Sequence, residues 1–235
     1  MKNIAIIPAR SRSKGLPDKN IKILCGKPLL AYSVEAALQS GMFDTVHVST
    51  DSVRYAEIAK SHGADVPFLR SAENSSDTAS SWDTVLEVLD KYSKLERNFD
   101  NVMLLQPTSP LRTSDDITAA FALMDDKKAN SIVSVCQAGY YNTLPVDGTM
   151  TDFIRNEANN KRRQDADIFY RINGAIFLTN TAYFLDDQNI YRSSCFAYIM
   201  DKRRSVDIDD ELDFLFAEAV LINEGKLSTT LSKPP

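Results

Sequence analysis

Soft metal ligands are scarce in this sequence. It has two histidines, His47 and His62, and three cysteines, Cys25, Cys136 and Cys195, at wide spacings. An odd, scattered set of cysteines argues against a disulfide framework and against a zinc site, and reads as reduced thiols. Long apolar runs are missing as well. The first one stops at Ala9, too short for a signal h-region, and none approaches the roughly 18 residues of a membrane span. The expectation is a cytoplasmic protein without membrane contact. Cations are outnumbered, 27 Lys+Arg against 32 Asp+Glu for a net charge of −5, where a nucleic-acid binder would more often be basic. What is present is apolar content: 43% hydrophobic and 9% aromatic over 235 residues, enough for the core of one large α/β domain and too much for disorder.

Against that acidic background the first 34 residues stand out. They hold seven cations (Lys2, Arg10, Arg12, Lys14, Lys19, Lys22 and Lys27) and one acid, Asp18. A local charge of +6 in a chain of net −5 leaves −11 for the remainder and points to a local anion site.

Apolar runs of strand length alternate with helical spacing along the chain. "NIAIIP", "DTVHVST", "ADVPFL", "NVMLLQ", "NSIVSVC", "GAIFLT" and "CFAYIM" read as strands. "PLLAYSVEAALQSG", "SVRYAEIAKSHG", "SSWDTVLEVLDKY" and "SDDITAAFALMDD" read as amphipathic helices, the first two ending at Gly41 and Gly63. Strand then helix, repeated, predicts a mostly parallel sheet with helices on both faces and ligands outside the carboxyl ends of the strands. Residues 139–172 break the rhythm with a polar, mixed-charge stretch that carries Tyr140 and Tyr141, and read as an insertion in a single domain rather than a second one.

Four stretches bear chemistry-competent groups, each with a plainer alternative. The loop from Arg10 to Lys19 follows a buried-looking strand and offers backbone N–H groups and cations to a polyphosphate, though it is neither G-x-G-x-x-G nor a P-loop; otherwise it is an exposed basic loop. Asp207 and Asp209 in "SVDIDDELDF" are expected where a strand ends, pointing to one side of an extended backbone, and suit Mg²⁺, which takes one or two carboxylates plus phosphate and water. Otherwise they cap the helix that follows. An EF-hand reading of the same acids fails because its glycine position is Leu212 and the following residues form an apolar helical face. "LLQPTSPLR" ends a strand with two prolines that fix the backbone and with Gln106, Thr108, Ser109 and Arg112 as polar groups, either to orient a substrate or as an ordinary turn. "SSDTASSWDT" places Ser80 or Ser81 at a helix N-cap.

These four stretches, with "RINGAIF" at 171–177, run in order over residues 3 to 222 and together resemble the N-acylneuraminate cytidylyltransferases. The resemblance implies an α/β nucleotidyltransferase (Rossmann-like) fold with a small dimerisation arm at about 139–172. It implies a cytosolic homodimer that transfers CMP from CTP to the anomeric hydroxyl of a nonulosonic acid, with Mg²⁺ as cofactor and pyrophosphate as product. Carried over by motif, Arg10, Ser13, Lys14, Gly15, Lys19 and Asn20 would meet the triphosphate, and Arg70, Ser80 and Ser81 the nucleotide. Gln106 would lie beside the sugar, Arg163, Arg171 and Asn173 near its carboxylate or hydroxyls, and Asp207 and Asp209 on the metal. The catalytic set would be Arg10, Lys19, Gln106, Asp207 and Asp209, with no Ser or Cys nucleophile required. The alternatives are a Kdo-type cytidylyltransferase and a non-catalytic nucleotide-sensing protein. In the arm, "GYYNTLPVDGTM" has no lysine where many sialic-acid enzymes have one, and its tyrosines lead to the expectation that a legionaminic-type sugar is used at least as well as N-acetylneuraminic acid.

Overall fold

β1 (Asn3–Pro8) divides its side chains between two cores, Ile4 and Ile6 on one face, Ala5 and Ile7 on the other, all fully buried. A strand apolar on both faces has to be sandwiched between two layers, and the rest of the fold supplies them. The computed structural model describes residues 1–11, 13, 15–138 and 168–231. Arg12, Lys14, Arg163 and the arm stretch 139–167, with Tyr140 and Tyr141, lie outside the described residues.

After β1 the chain makes a short 3-10 turn at Lys19–Ile21 and a small hairpin of β2 (Ile23–Leu24) and β3 (Lys27–Pro28). Then follow α1 (Leu29–Ser40), β4 (Thr45–Ser49), α2 (Val53–Ser61), α3 (Ser81–Lys94), β5 (Asn101–Leu104), α4 (Ser114–Lys127) and β6 (Ser131–Gln137). β7 (Tyr170–Asn180), α5 (Thr181–Asp187), β8 (Cys195–Met200) and α6 (Glu211–Leu231) complete the described chain. The six-stranded sheet has the order β4-β1-β5-β7-β6-β8. β7 runs antiparallel to both its neighbours, and every other pairing in this sheet is parallel. Leu30 and Val34 of α1, Ala56 and Ala59 of α2 and Ile117 and Ala120 of α4 cover one face; Val85, Val88 and Tyr92 of α3 and Phe184 of α5 cover the other. Phe214 and Ala217 of α6 pack with Leu16, Leu24, Leu29 and Ile208 in a third cluster.

The predicted α/β architecture with helices on both faces is the one observed, with local differences. "ADVPFL" makes a single bridge, His47 to Asp65, because Pro67 lacks the N–H that a ladder needs. α5 was not expected: seven residues are too few for a helical period to show, and its one signal is the Asn180 side chain accepting from Tyr183 N at 3.0 Å. β7 begins at Tyr170, inside the stretch 139–172 assigned to the insertion.

Candidate functional site

The parallel strands β1, β5 and β8 all end on the same edge of the sheet. Antiparallel β7 starts there, since Leu104 near the end of β5 pairs with Phe177 and Asn101 at its start pairs with Asn180. At this edge a cleft of about 600 Å³ opens.

Its first wall is the loop after β1. Asn20 is buried and donates to the Arg10 carbonyl at 3.0 Å, while Ser11 N and Oγ both donate to the Asp51 carboxylate at 2.8 and 2.9 Å. Tyr55 of α2 donates to Asp18 at 2.8 Å. The loop is thereby stitched into an arch, and Arg10, Ser13, Gly15, Lys19 and Asn20 line the cleft. The Arg10 guanidinium reaches the Ser76 carbonyl at 2.9 Å and the Asp77 carboxylate at 3.0 Å across the cleft mouth. Lys19 donates to the Ile208 carbonyl at 2.6 Å and stands 3.4 Å from the Asp209 carboxylate. Fixed cations along one wall of a cleft suit a polyphosphate.

The opposite wall carries Arg70, Ser80, Ser81 and Thr84. Arg70 is buried and donates through Nε to Ser49 Oγ at 3.0 Å; desolvation pulls its pKa down to about 10, so it remains a cation at neutral pH. Ser80 is the N-cap of α3: its hydroxyl accepts from Asp83 N at 3.1 Å, and its amide donates to the Asp83 carboxylate at 2.8 Å. The capping reading and the cleft position therefore hold together for Ser80, and Ser81 opens the helix beside it. Thr84 was not anticipated, although it lies one turn beyond Ser80 and Ser81 on the same face, the spacing that would have revealed it. Asn74 and Ser76 also line the cleft without any sequence signal; Ser71 N donates to Glu87 at 2.8 Å to hold their loop.

The floor is the turn after β5. Gln106, Pro107 and Thr108 line it. Behind them Arg112, 2% exposed, donates to the carbonyls of Ser109 at 3.3 Å and Ala175 at 3.1 Å and so ties this turn to β7. Desolvation lowers its pKa to about 10. Gly174 of β7 has φ +76°, and a Cβ there would lie 2.6 Å from Gln106 Oε1 and 3.3 Å from Asp207 Oδ2. Glycine is favoured by that backbone turn and by that approach.

Asp207 and Asp209 close the cleft from the segment between β8 and α6. This segment is not a strand, contrary to the expectation that the pair ends one. It is a 3-10 turn at Lys202–Arg204 followed by residues without regular structure, pinned by Ile208 N donating to the Thr108 carbonyl at 2.8 Å. The capping alternative is also excluded for both acids. Asp210 does that work, accepting from Leu212 N at 2.8 Å and Asp213 N at 3.0 Å. The Asp207 carboxyl is raised above its ordinary value by desolvation and by the Asp209 charge, even with a Thr108 hydrogen bond, Lys19 and Arg171 acting the other way. A carboxylate pair still short of positive charge, facing a cleft that can receive phosphate, fits a hard divalent cation with one or two protein ligands. Gly15 allows the close approach here, since a Cβ on it would meet the Asp209 carbonyl at 2.7 Å.

Arg171 lies in a neighbouring cavity of about 620 Å³, with Lys202, Arg203, Val206 and Phe216. Both cavities are lined by Asp207 and Asp209, so the two carboxylates stand where the spaces meet. Lys202 and Arg203 were not singled out in the sequence. Asn173 requires a correction. It is 1% exposed, lines neither cavity, and spends its amide on Ser134, Ser205 and Met200, so it is not available to a sugar.

Comparison with known proteins agrees with this geometry. A profile of the cytidylyltransferase family matches residues 4–220. The chain is 42% identical over 219 residues to an N-acylneuraminate cytidylyltransferase of Escherichia coli, covering 92% of this chain and 51% of that protein. It is 41% identical to the enzyme of that name from Streptococcus agalactiae, of which it covers 52%. The chain thus spans about half the length of these relatives. It covers 97% of a CMP-N,N'-diacetyllegionaminic acid synthase from Legionella pneumophila, at 34% identity over 94% of this chain. Among solved structures, a CMP:2-keto-3-deoxy-manno-octonic acid synthetase complexed with CTP shares the fold, with a TM-score of 0.70 and 17% identity over 95% of this chain and 100% of the other. Matched over nearly its whole length, this chain belongs to the cytidylyltransferase family, in the group of the N-acylneuraminate cytidylyltransferases and their relatives.

Proposed function

We propose that this protein is a Mg²⁺-dependent cytidylyltransferase that joins CMP from CTP to the anomeric hydroxyl of a nonulosonic acid. The observation that carries this reading is the pair of cavities meeting at Asp207 and Asp209. One is lined by Arg10, Lys19 and Arg70, as a triphosphate needs, and the other by Arg171, Lys202 and Arg203, as a sugar carboxylate needs. In the reaction the anomeric oxygen forms a bond to the α-phosphorus, the bond from that phosphorus to the β-phosphate bridging oxygen breaks, and the hydroxyl proton is lost. Arg10 and Lys19 hold the departing pyrophosphate where charge accumulates, which favours the transition state over the ground state. Gln106, fixed on its proline-bounded turn beside Gly174, orients the acceptor. Mg²⁺ bound by Asp207 and Asp209 would polarise the phosphate oxygens and lower the pKa of a coordinated hydroxyl.

Two further parts belong to the same proposal. The apolar residues Ile168, Phe169, Tyr170 and Ile172 at the start of β7 are exposed where the chain leaves residues 139–167, which supports a homodimer formed through that stretch, read out by sedimentation. A relative that this chain covers over 97% of its length is named for a legionaminic acid, which supports a sugar of that type. The test is pyrophosphate release with CTP and Mg²⁺ and, in separate reactions, N-acetylneuraminic, N,N'-diacetyllegionaminic, pseudaminic and 2-keto-3-deoxy-manno-octonic acids. Release with one or more of the nine-carbon acids is expected. Release with the eight-carbon acid alone, or with none, would overturn the reading.

A further inference from the structure

β7 does not run straight past the cleft. Its pairing with β6 changes register between Val133 and Val135, opposite the point where Gly174 turns with positive φ. A register break next to a site re-aims the chain, and something other than the ladder has to hold it. Asn173 does so. Its Oδ1 accepts from Ser134 Oγ at 2.6 Å and from Ala175 N at 3.3 Å, bridging the break from the sheet side. Its Nδ2 donates to Ser205 Oγ at 2.9 Å, and Ser205 Oγ passes its own proton to the Asp201 carbonyl at 2.8 Å. Asn173 and Ser205 are both 1% exposed, and this one amide therefore joins β6, β7 and the segment that carries Asp207.

We propose that Asn173 is a positioning residue that sets the Asp207 carboxylate through Ser205, so that its contribution to the reaction is the geometry of the metal-binding pair. Ser205 is two residues before Asp207, and Asn173 is the neighbour of the glycine whose approach leaves room for Asp207 Oδ2. Tension on the segment from this end is matched by Ile208 N bonding to Thr108 O at the other, which leaves Asp207 suspended between two fixed points. A buried amide with every hydrogen bond satisfied gives such a suspension a single orientation, where an apolar contact would let it slide. The inference rests on the metal-dependent transfer proposed above.

The experiment compares wild type, Asn173→Ala, Ser205→Ala and the double variant. Mn²⁺ affinity is measured by electron paramagnetic resonance in the presence of CTP, alongside kcat, the KM for CTP and the melting temperature. The expected result is a Mn²⁺ Kd raised about tenfold or more in each single variant, with kcat lowered to match and KM for CTP within twofold. The double variant should be no worse than the weaker single one, since both remove the same link. If Asn173→Ala does not fold, Ser205→Ala carries the test, because it leaves the Ser134 side of the network intact. Lowered melting with unchanged Mn²⁺ affinity and kcat overturns the inference and makes Asn173 purely structural. A wild type without CTP-dependent Mn²⁺ binding or pyrophosphate release overturns the function proposal itself, which separates the two failures.

Discussion

The two flanks of β5 reach the site by opposite routes. On one side β1 and β4 run parallel to it, so the loop after β1 arrives at the cleft by following the chain's own rhythm. On the other side β7 runs against it, and the site meets the beginning of that strand rather than a loop after its end, with Arg171 in the neighbouring cavity and Gly174 against Gln106 and Asp207. The parallel flank presents two cations of the loop after β1, Arg10 held by Ser76 and Asp77 and Lys19 by the Ile208 carbonyl. The antiparallel flank presents a close backbone approach and a carboxylate pair brought from beyond β8. Charge chemistry that tolerates some freedom sits on the first, and geometry that tolerates little sits on the second.

That contrast predicts its largest effect on the antiparallel side. Asp207→Asn should lower turnover by about 10²-fold or more, in the range expected for losing a charged group aimed at the reacting phosphate. Its melting temperature should not fall. Because the folded carboxyl is raised above its ordinary value, its ionised form is disfavoured by folding at neutral pH, and a neutral isostere removes that disadvantage. Pyrophosphate assay and calorimetry on one preparation check both halves; a variant that keeps full activity would detach Asp207 from the chemistry.

Gly174→Ala tests the same flank. The added methyl meets the end of the Gln106 side chain, which can swing aside, but φ +76° strains any L-residue by roughly 1–2 kcal/mol. Turnover should drop about tenfold because Gln106 and Asp207 are both displaced, while stability changes by no more than that strain. Kinetics and thermal unfolding separate the two.

On the parallel flank, Arg10→Ala and Lys19→Ala should each cost about 1.5–3 kcal/mol in kcat/KM for CTP, the worth of a hydrogen bond to a charged group. Stability should hardly move, since the Arg10–Asp77 pair is partly exposed and such pairs contribute about 0–1 kcal/mol. Equal losses in melting and in activity would put these cations in the fold instead of the site.

A separate effect lies in β4, away from the cleft. Burial, with the charges of Arg70 and Lys91 adding to it and Asp65 opposing, lowers the His47 pKa to about 3, while in the unfolded chain it is about 6.5. Below about pH 6.5 the unfolded chain takes up a proton that the folded one refuses, so stability falls by up to ~1.4 kcal/mol per pH unit as the solution is acidified towards that folded value. The Glu87 carboxyl, which hydrogen bonds from Lys91, Asn74 and Ser71 hold at about 2 against its own desolvation, adds its loss only below about pH 4.5. Denaturant unfolding of wild type and His47→Leu between pH 7 and 5 isolates the histidine: the slope should vanish in the variant while activity at pH 7.5 stays unchanged.

The sequence by itself determined most of the layers and one wall of the site. Apolar runs such as "NIAIIP" and helical faces such as "SSWDTVLEVLDKY" encode burial through spacing, and burial is a local demand that a linear pattern can carry. The cations around Gly15 and the acids at 207 and 209 were likewise visible because each group lies within a few residues in the chain. Only the tertiary structure decided the rest. An apolar strand reads the same in either direction, so nothing in "RINGAIF" announced that β7 runs against its neighbours and delivers its first residues to the cleft. Nor could a short motif say whether Asn173 faces a ligand or the inside of the sheet, because a side chain's partners, here Ser134 and Ser205, lie 39 and 32 residues away. Hydrogen bonds are directional and short, so which amide serves the substrate and which serves the scaffold is settled only when distant segments pack.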